Sequence, residues 1–275
     1  MNGNAKSKYK KWRFMKIDFT GFGKIFCLVA AFLVIRIQPS MGAEGFLMTP
    51  DGVRLFYEYQ KMMPEKEKGT AILLHGWGMS YNEWAGFKEK LQADGWSTVG
   101  FDFRGHGASI ESSEKKQLDF QEMNSRSQRR KLLIDIQTVT AYLASDKPVW
   151  LIGSSIGANY ALRYAAKDSR ISGVVLIAPG YDTWKILTKD LPGKFGARPM
   201  MLIAARNNPW SFRTGEDLKK RAQGPSLFHS MEAGHDIDGI KDKLPLADMI
   251  LNWMNEQTLN DKAVLEISPL AAIHN

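Results

Sequence analysis

The chain has 275 residues, a 44% hydrophobic composition and a formal net charge of +8 at pH 7, which is typical of a globular protein with one large domain or two small ones. Most of the net charge lies in residues 1–43, which contain eight lysines and arginines and one acid. The rest of the chain is therefore nearly neutral and is not expected to have a broad basic surface. The only cysteine, Cys27, also lies there, which excludes disulfides and thiol chemistry in the remainder.

Residues 1–43 have the order expected of a secretory signal peptide. A basic, polar segment precedes the apolar run "IFCLVAAFLVI" (25–35), and small residues follow in "QPSMGAEG". The run is short for a bilayer-spanning helix, which needs about 20 residues. We therefore predict an exported protein from which the leader is removed. The alternatives are an uncleaved membrane anchor and, for a translation start at Met41, a cytoplasmic protein.

From residue 46 onward, short apolar runs alternate with amphipathic segments. The stretch 46–59 has strand-like residues on either side of Asp51 and Gly52, which predicts an antiparallel hairpin. The later apolar runs are continuous and too short for helices, which indicates strands buried on both faces; they span 69–76, 97–103, 148–154, 172–180 and 198–206. The segments of helical period span 82–93, 127–144, 155–167, 215–223 and 244–256.

This alternation predicts an α/β fold, in which a mostly parallel sheet is covered by helices on both faces. Functional sites of such sheets form at the carboxyl ends of the strands. We expect the charged loop 109–130 to be solvated surface near this edge. The predicted domain covers residues 45–256, and residues 257–275 are expected to form a loosely attached tail.

The stretch "LIGSSIGAN" (151–159) joins a predicted strand to a predicted helix and fits the pattern G-x-S-x-G. A sharp turn of this kind strains its central residue, and Gly153 and Gly157 remove the Cβ clashes that the turn would create. The spacing places Ser155, rather than Ser154, at the helix N-terminus, where the helix dipole favours negative charge. We interpret this stretch as a nucleophile elbow; the alternative is a structural corner.

A serine nucleophile needs a base to accept its proton, and five histidines are candidates. His235, in "MEAGHDIDG", follows the last predicted strand in a glycine-flanked loop and is well placed to reach the edge of the sheet. His75 and His106 lie in turns after strands, His229 lies inside a predicted strand, and His274 lies in the tail. The residues alone leave all five histidines as candidates for the base.

Four motifs occur in a characteristic order: "HGWG" after one predicted strand, "FDFRGHGAS" after the next, then "GSSIGA" and "AGH". In these motifs, over about residues 45–256, the chain resembles the α/β-hydrolase superfamily, and in particular the serine hydrolases grouped with monoacylglycerol lipases and serine aminopeptidases. The resemblance implies an α/β-hydrolase fold with an eight-stranded, mostly parallel sheet, and it implies no cofactor. The short interval between "APG" and "RPMM" predicts little or no cap over the site.

The same resemblance implies roles for individual residues. Ser155 would be the nucleophile and His235 the general base, and the backbone N–H groups of Trp77 and Ile156 would form the oxyanion hole. The motif residues that would hold loops and turns in place, without titrating in catalysis, are His75, Arg104 and His106.

The chain departs from the family at the third member of the triad. Asn208, in "RNNPW", stands where the family usually places an aspartate, and an amide can orient a histidine but cannot stabilise its positive charge. Asp182, in "APGYDTW", preserves the order serine, acid, histidine and is the preferred acid, with Asn208 as an orienting residue the alternative. Glu216 and Asp217 lie in "GEDLKK", which has the composition of a helix start, where acids need no catalytic role. The remaining alternative is that no acid exists.

These observations predict a serine hydrolase that cleaves small or medium carboxylic esters through an acyl-enzyme on Ser155. A thioesterase or peptidase of the same fold is one alternative, and a non-catalytic binding protein that lacks the triad acid is another. The aromatic candidates for an acyl pocket are Trp77, Trp84, Tyr181, Trp184 and Trp210; the alternative for the tryptophans is simple packing. The sequence after the leader has no metal-ligand spacing or basic-aromatic patch, so we expect no metal and no nucleic-acid partner, and membrane contact only through an uncleaved leader.

Overall fold

Two strands at the start of the described chain form the predicted hairpin. In the computed structural model, which describes residues 41–123, 125–143, 145–183, 186–233 and 244–271, β1 (Met41–Met48) pairs antiparallel with β2 (Val53–Lys61). Thr49 closes the turn, because its hydroxyl donates to Asp51 (2.8 Å) and accepts the Val53 N–H (2.8 Å). Gly52 adopts a φ of +79°, a conformation that glycine accepts without steric cost.

The other elements follow in chain order. The remaining strands are β3 (Gly69–Leu74), β4 (Trp96–Phe101), β5 (Glu111–Ser112), β6 (Val149–Ser154), β7 (Ile171–Ile177), β8 (Asp182–Thr183), β9 (Ile186–Leu187), β10 (Met200–Ala205) and β11 (Ser226–Met231). The α-helices are α1 (Phe87–Ala93), α2 (Arg126–Arg130), α3 (Leu132–Tyr142), α4 (Ile156–Ala165), α5 (Leu191–Phe195), α6 (Pro209–Arg221) and α7 (Leu244–Ala271). Short 3-10 helices span Tyr81–Trp84 and Phe120–Glu122.

Nine strands of the described chain form one sheet, and eight of them follow the order β1-β2-β4-β3-β6-β7-β10-β11. The pairs β1–β2 and β2–β4 are antiparallel, and the other neighbours along this path are parallel. The short β5 joins the edge of β2, and β8 and β9 form a separate small hairpin. The predicted mostly parallel sheet is confirmed, and β5 adds a ninth strand to the eight that were expected.

Two apolar cores lie on opposite faces of this sheet, so the predicted helical cover on both faces is also confirmed. On one face, the strands pack against α3, α4 and α5, for example through Ile136 and Leu162. On the other, they pack against α1 and α7, for example through Leu91 and Ile250. The strands β3, β4, β6 and β10 are buried along their whole length, which is why each appears in the sequence as a continuous apolar run.

Helix α6 differs from the prediction at its start. It begins at Pro209, with Asn208 as N-cap, so the prediction of a helix over 215–223 places the start too late. Glu216 and Asp217 consequently lie inside the helix, and the interpretation of "GEDLKK" as a helix start is wrong. The signal was present in the sequence, because asparagine is a preferred N-cap and proline a preferred first helical residue.

The segment between β7 and β10 is small, as expected for a protein with little cap. Its described residues contain the two-residue strands β8 and β9 and the five-residue helix α5. At the other end of the domain, α7 continues past residue 256, and Gln257 and Thr258 are buried. Within the described residues, no helix combines the length and hydropathy needed to cross a membrane. The predicted leader, apart from its last residues, lies outside them.

Candidate active site

Ser155 lies in the turn between β6 and α4 and has a strained backbone. Its φ is 51° and its ψ is −116°, a region that residues with a Cβ rarely adopt. The Ser155 N–H donates to the carbonyl oxygen of Ile177 at the end of the neighbouring strand β7 (2.8 Å). The residue is therefore held in the strained conformation by the sheet itself.

The two glycines of the motif allow this turn to form. A Cβ on Gly153 would collide with the backbone of Gly157, and a Cβ on Gly157 would collide with the carbonyl oxygen of Leu74 in β3. The first turn of α4 consequently lies directly against the ends of β6 and β3. No other residue type fits at either position without moving the helix.

The two adjacent serines point to different environments. Ser154 is completely buried, and its hydroxyl donates to the carboxylate of Glu83 (3.1 Å). Ser155 is half-buried and lines a cavity of about 420 Å³, and Ile156 follows it as the first residue of α4. Only Ser155 of this pair is accessible to a substrate.

The loop after β3 approaches Ser155 and has a fixed orientation. A Cβ on Gly76 would lie 3.7 Å from that of Ser155. Nε2 of His75 accepts the Phe103 N–H (3.0 Å), so the ring proton is on Nδ1, which donates to the Gly76 carbonyl (2.7 Å). Because a peptide unit is planar and trans, fixing this carbonyl also fixes the Trp77 N–H, which points the opposite way.

The ring of His75 stays neutral in this position. Complete burial lowers its pKa to about 3, and the nearby His106, whose ring centroid is 5.0 Å away, adds to the effect. Burial also lowers the pKa of His106, whose Nδ1 lies 3.0 Å from the carbonyl oxygen of Arg104. Both histidines are thus built into the loops beside the site.

Aromatic rings cover this loop from the outside. Trp77 contacts His106 and Phe120 edge-on, with ring centroids 5.1 and 5.5 Å apart, and Phe120 stacks on His106 at 4.5 Å. Phe120 belongs to the segment 109–130, so part of this charged segment packs against Trp77 and His106.

Arg104 holds the turn after β4 by a buried network. Its side chain is 4% exposed; its Nη2 bonds to Asp135 of α3 (2.6 Å) and its Nη1 to Asp51 of the β1–β2 turn (2.6 Å). Its own backbone N–H also donates to Asp135 (3.0 Å). The guanidinium keeps the pKa of the Asp51 carboxyl well below its usual range.

Both candidates for the third triad member line the cavity that contains Ser155. Asp182 lies in β8 and is exposed. Asn208 follows β10, is half-buried, and its Oδ1 accepts the Ser211 N–H (3.2 Å) as the N-cap of α6. Asn208 therefore has a structural role, although its carbonyl oxygen can accept a second hydrogen bond. His235 lies outside the described residues.

The aromatic candidates for an acyl pocket have different locations. Trp210 lines the cavity, is 57% exposed, and packs edge-on against Tyr181. Trp84 is fully buried in the core beside Phe87, so it packs in the core and does not line the pocket. Trp184 lies outside the described residues. Among the residues that the structure describes, no cluster of three or more potential ligands could hold a metal ion.

One buried acid near the site was not singled out from the sequence. Glu83, in the 3-10 helix Tyr81–Trp84, is 3% exposed and contacts both Gly76 and Ser154. A lone glutamate in a polar segment after a strand is usually solvated, so the sequence gives no signal for it.

Known proteins share this architecture. Among solved structures, an esterase from Pyrococcus furiosus superposes with a TM-score of 0.63 and 18% identity, covering 80% of this chain and 94% of that one. A dienelactone hydrolase from Anabaena variabilis superposes with a TM-score of 0.59 and 17% identity, covering 80% of this chain and 98% of the other. Similarities at this level of identity establish the fold.

Two curated relatives match in sequence. A bifunctional esterase/perhydrolase of Acinetobacter calcoaceticus is 24% identical over 225 residues, which cover 77% of this chain and 67% of the relative. A hydrolase of Phaeosphaeria nodorum is 56% identical over 43 residues, and the match spans only 10% of that protein. The family model described as alpha/beta hydrolase fold matches residues 71–230, more than half of the chain. The chain therefore belongs to the α/β hydrolase fold family.

Proposed function

We propose that this hydrolase cleaves carboxylic esters through an acyl-enzyme on Ser155. The observation that carries the proposal is the strained, half-buried Ser155 at the N-terminus of α4, which lines a cavity next to the loop of His75 and Gly76. The esterase and dienelactone hydrolase names of the similar proteins agree with an ester substrate.

In the proposed reaction, Ser155 Oγ attacks the ester carbonyl carbon while its proton passes to His235. The oxygen of the tetrahedral intermediate accepts hydrogen bonds from the N–H groups of Trp77 and Ile156. The C–O bond to the alcohol then breaks, and His235 returns the proton to the leaving alkoxide. Water attacks the acyl-enzyme by the same steps, which releases the carboxylic acid and regenerates Ser155.

We assign the acid of the triad to Asp182, with Asn208 as the alternative partner of His235. Asp182 lines the Ser155 cavity and supplies the negative charge that stabilises an imidazolium. Asn208 is already engaged as the N-cap of α6, which accounts for its presence without a catalytic role.

The substrate is a small or medium ester. The cavity volume of about 420 Å³ fits a ligand of that size, and the segment between β7 and β10 provides no large lid in its described part. Trp210, exposed at the cavity, supplies an apolar surface for the acyl or alcohol group.

Labelling with a fluorophosphonate tests the assignment of the nucleophile. The probe forms a bond to an activated serine Oγ with loss of fluoride, so the wild type should label with a stoichiometry near one and S155A should not. S226A, which removes a half-buried serine from β11, is the matched control. A wild type that neither labels nor hydrolyses p-nitrophenyl acetate or butyrate would favour a non-catalytic binding protein.

We also propose that residues 1–43 direct export and are then removed. The basic segment, the apolar run and the small residues after it support this proposal. Expression of the full chain followed by N-terminal sequencing tests it, since a mature protein should begin near Ala43 or Glu44. A chain that retains residue 1 would exclude cleavage.

A further inference from the structure

A buried carboxylate lies between the two loops that the proposed reaction uses. Oε2 of Glu83 accepts the Gly76 N–H at 2.7 Å, and Oε1 accepts the Ser154 hydroxyl at 3.1 Å. The side chain is 3% exposed, so neither contact is weakened by competition with bulk water. The carboxylate therefore forms a bridge inside the protein rather than a surface ion pair.

The two donors come from different strands of the sheet. Gly76 follows β3 and directly precedes Trp77, the proposed oxyanion donor. Ser154 ends β6 and directly precedes Ser155. A Cβ on Gly76 would lie 3.6 Å from Oε1 of Glu83 and 3.7 Å from the Cβ of Ser155, so the loop, the carboxylate and the elbow are packed together. One side chain thus bridges the residue before the nucleophile and the residue before the proposed oxyanion donor.

We propose that Glu83 is a positioning residue for the oxyanion hole. The inference rests on the proposed function, because it assigns Glu83 a role through Trp77 and Ser155 and not through contact with substrate. A buried polar side chain needs hydrogen-bond partners to remain in place, and both carboxyl oxygens of Glu83 have one. Small displacements of an oxyanion donor matter, since an error of about 1 Å can cost about 100-fold in rate.

Two substitutions separate positioning from mere folding. E83M keeps the approximate length and volume of the side chain but leaves the Gly76 N–H and the Ser154 hydroxyl without their acceptor. E83Q keeps both contacts, since its amide oxygen can accept the Gly76 N–H and its amide nitrogen can donate to Ser154 Oγ. E89M, at an exposed position of α1, is the matched control for introducing methionine.

The measurement is the rate of p-nitrophenyl butyrate hydrolysis per site labelled by fluorophosphonate, so that unfolded protein is not counted. For E83M, we expect kcat to fall about 10- to 100-fold while KM changes by less than about twofold. A boronic acid inhibitor, which forms a tetrahedral anion on Ser155, should lose affinity by the same factor as kcat. E83Q should stay within about threefold of the wild type.

An E83M rate per labelled site equal to that of E89M would overturn the inference. So would a parallel rise of KM and of the boronic acid inhibition constant, because that pattern reports general distortion of the site. If the wild type shows no Ser155-dependent labelling, the proposed function fails and the inference fails with it. If the wild type is labelled at Ser155 and hydrolyses the ester, the proposed function holds, and the E83M result tests only the positioning role of Glu83.

Discussion

At Ser155, the conformation that exposes the hydroxyl also strains the backbone. Holding a residue that has a Cβ at φ 51° and ψ −116° raises the free energy of the folded state by on the order of 1–3 kcal/mol relative to a relaxed conformation. The hydrogen bond from its N–H to Ile177 and the close packing at Gly153 and Gly157 keep the residue there. Backbone strain of this kind occurs mostly at functional sites, where the surrounding structure holds it in place.

Removing the Cβ of residue 155 should release this strain. We expect S155G to unfold at a higher temperature than S155A, by about 2–4 °C for each kcal/mol released, and both variants to lose esterase activity. S155A is the matched control because it removes the same hydroxyl but keeps the Cβ. Differential scanning calorimetry of the two proteins makes the comparison, and equal melting temperatures would contradict the strained elbow.

The identity of the triad acid gives a second prediction at this scale. D182N should lower kcat by about 10²- to 10⁴-fold, because an amide cannot stabilise the imidazolium of His235. N208D should leave kcat nearly unchanged and should not weaken α6, because aspartate caps a helix about as well as asparagine. Kinetics of both variants with p-nitrophenyl acetate provide the test.

The opposite result would be an unchanged kcat for D182N and a higher kcat for N208D. It would show that residue 208, and not Asp182, orients His235. N208A serves as the structural control for this pair. It removes the cap and should cost about 1 kcal/mol of stability, so its loss of activity can be compared with its loss of folded protein.

Among the elements, those buried on both faces are the most predictable from sequence. Strands such as β3 and β6 appear as continuous apolar runs because both of their faces are covered. The prediction places the start of α6 too late, although Asn208 and Pro209 fit the N-cap and the first position of a helix. Glu83 could not be predicted, since its role depends on contacts with residues from two other elements.

Arg104 illustrates how one side chain joins three elements. It links the turn after β4 to α3 through Asp135 and to the β1–β2 turn through Asp51. Asp135 is completely buried, so removing the guanidinium would leave a carboxylate without its cation in the interior. This position should therefore be far more sensitive than an ion pair on the surface.

We expect R104M to reduce the free energy of unfolding by about 3–5 kcal/mol. R170M is the matched control, because Arg170 also pairs with an aspartate, Asp168, but its side chain is 63% exposed. That variant should lose at most about 1 kcal/mol. Urea denaturation of the three proteins measures the difference, and similar losses in both variants would show that the buried network contributes no more than a surface pair.

For the molecule as a whole, the topology made the location of the site predictable and left part of its chemistry open. The sheet brings the turn after β6, the loop after β3 and the segments after β7 and β10 to one edge, as expected for the carboxyl ends of parallel strands. The choice between Asp182 and Asn208 could not be made from spacing, because both follow strands at that edge and both line the cavity.

The same edge contains two buried neutral histidines, and this arrangement makes the stability of the fold depend on pH. The pKa of His75 falls from an ordinary 6.5 to about 3, because its ring is completely buried; burial also lowers the pKa of His106. Between these values the unfolded chain binds a proton at His75 that the folded chain does not, so the contribution of His75 to stability falls as pH falls from 6.5 towards 3.

We expect the free energy of unfolding to decrease by up to about 1.4 kcal/mol per pH unit for His75 alone in that interval. H75Q should be less stable at neutral pH, because it loses the contacts to Gly76 and Phe103, but its dependence on pH should be shallower. Urea denaturation from about pH 7 to about pH 4.5 measures both slopes, and the buried acids Asp102 and Asp135, whose pKa values are raised by burial, are common to both proteins. H229Q is the control for the loss of one imidazole. If the free energy of unfolding of H75Q depends on pH as steeply as that of the wild type, His75 is not the source of the acid sensitivity.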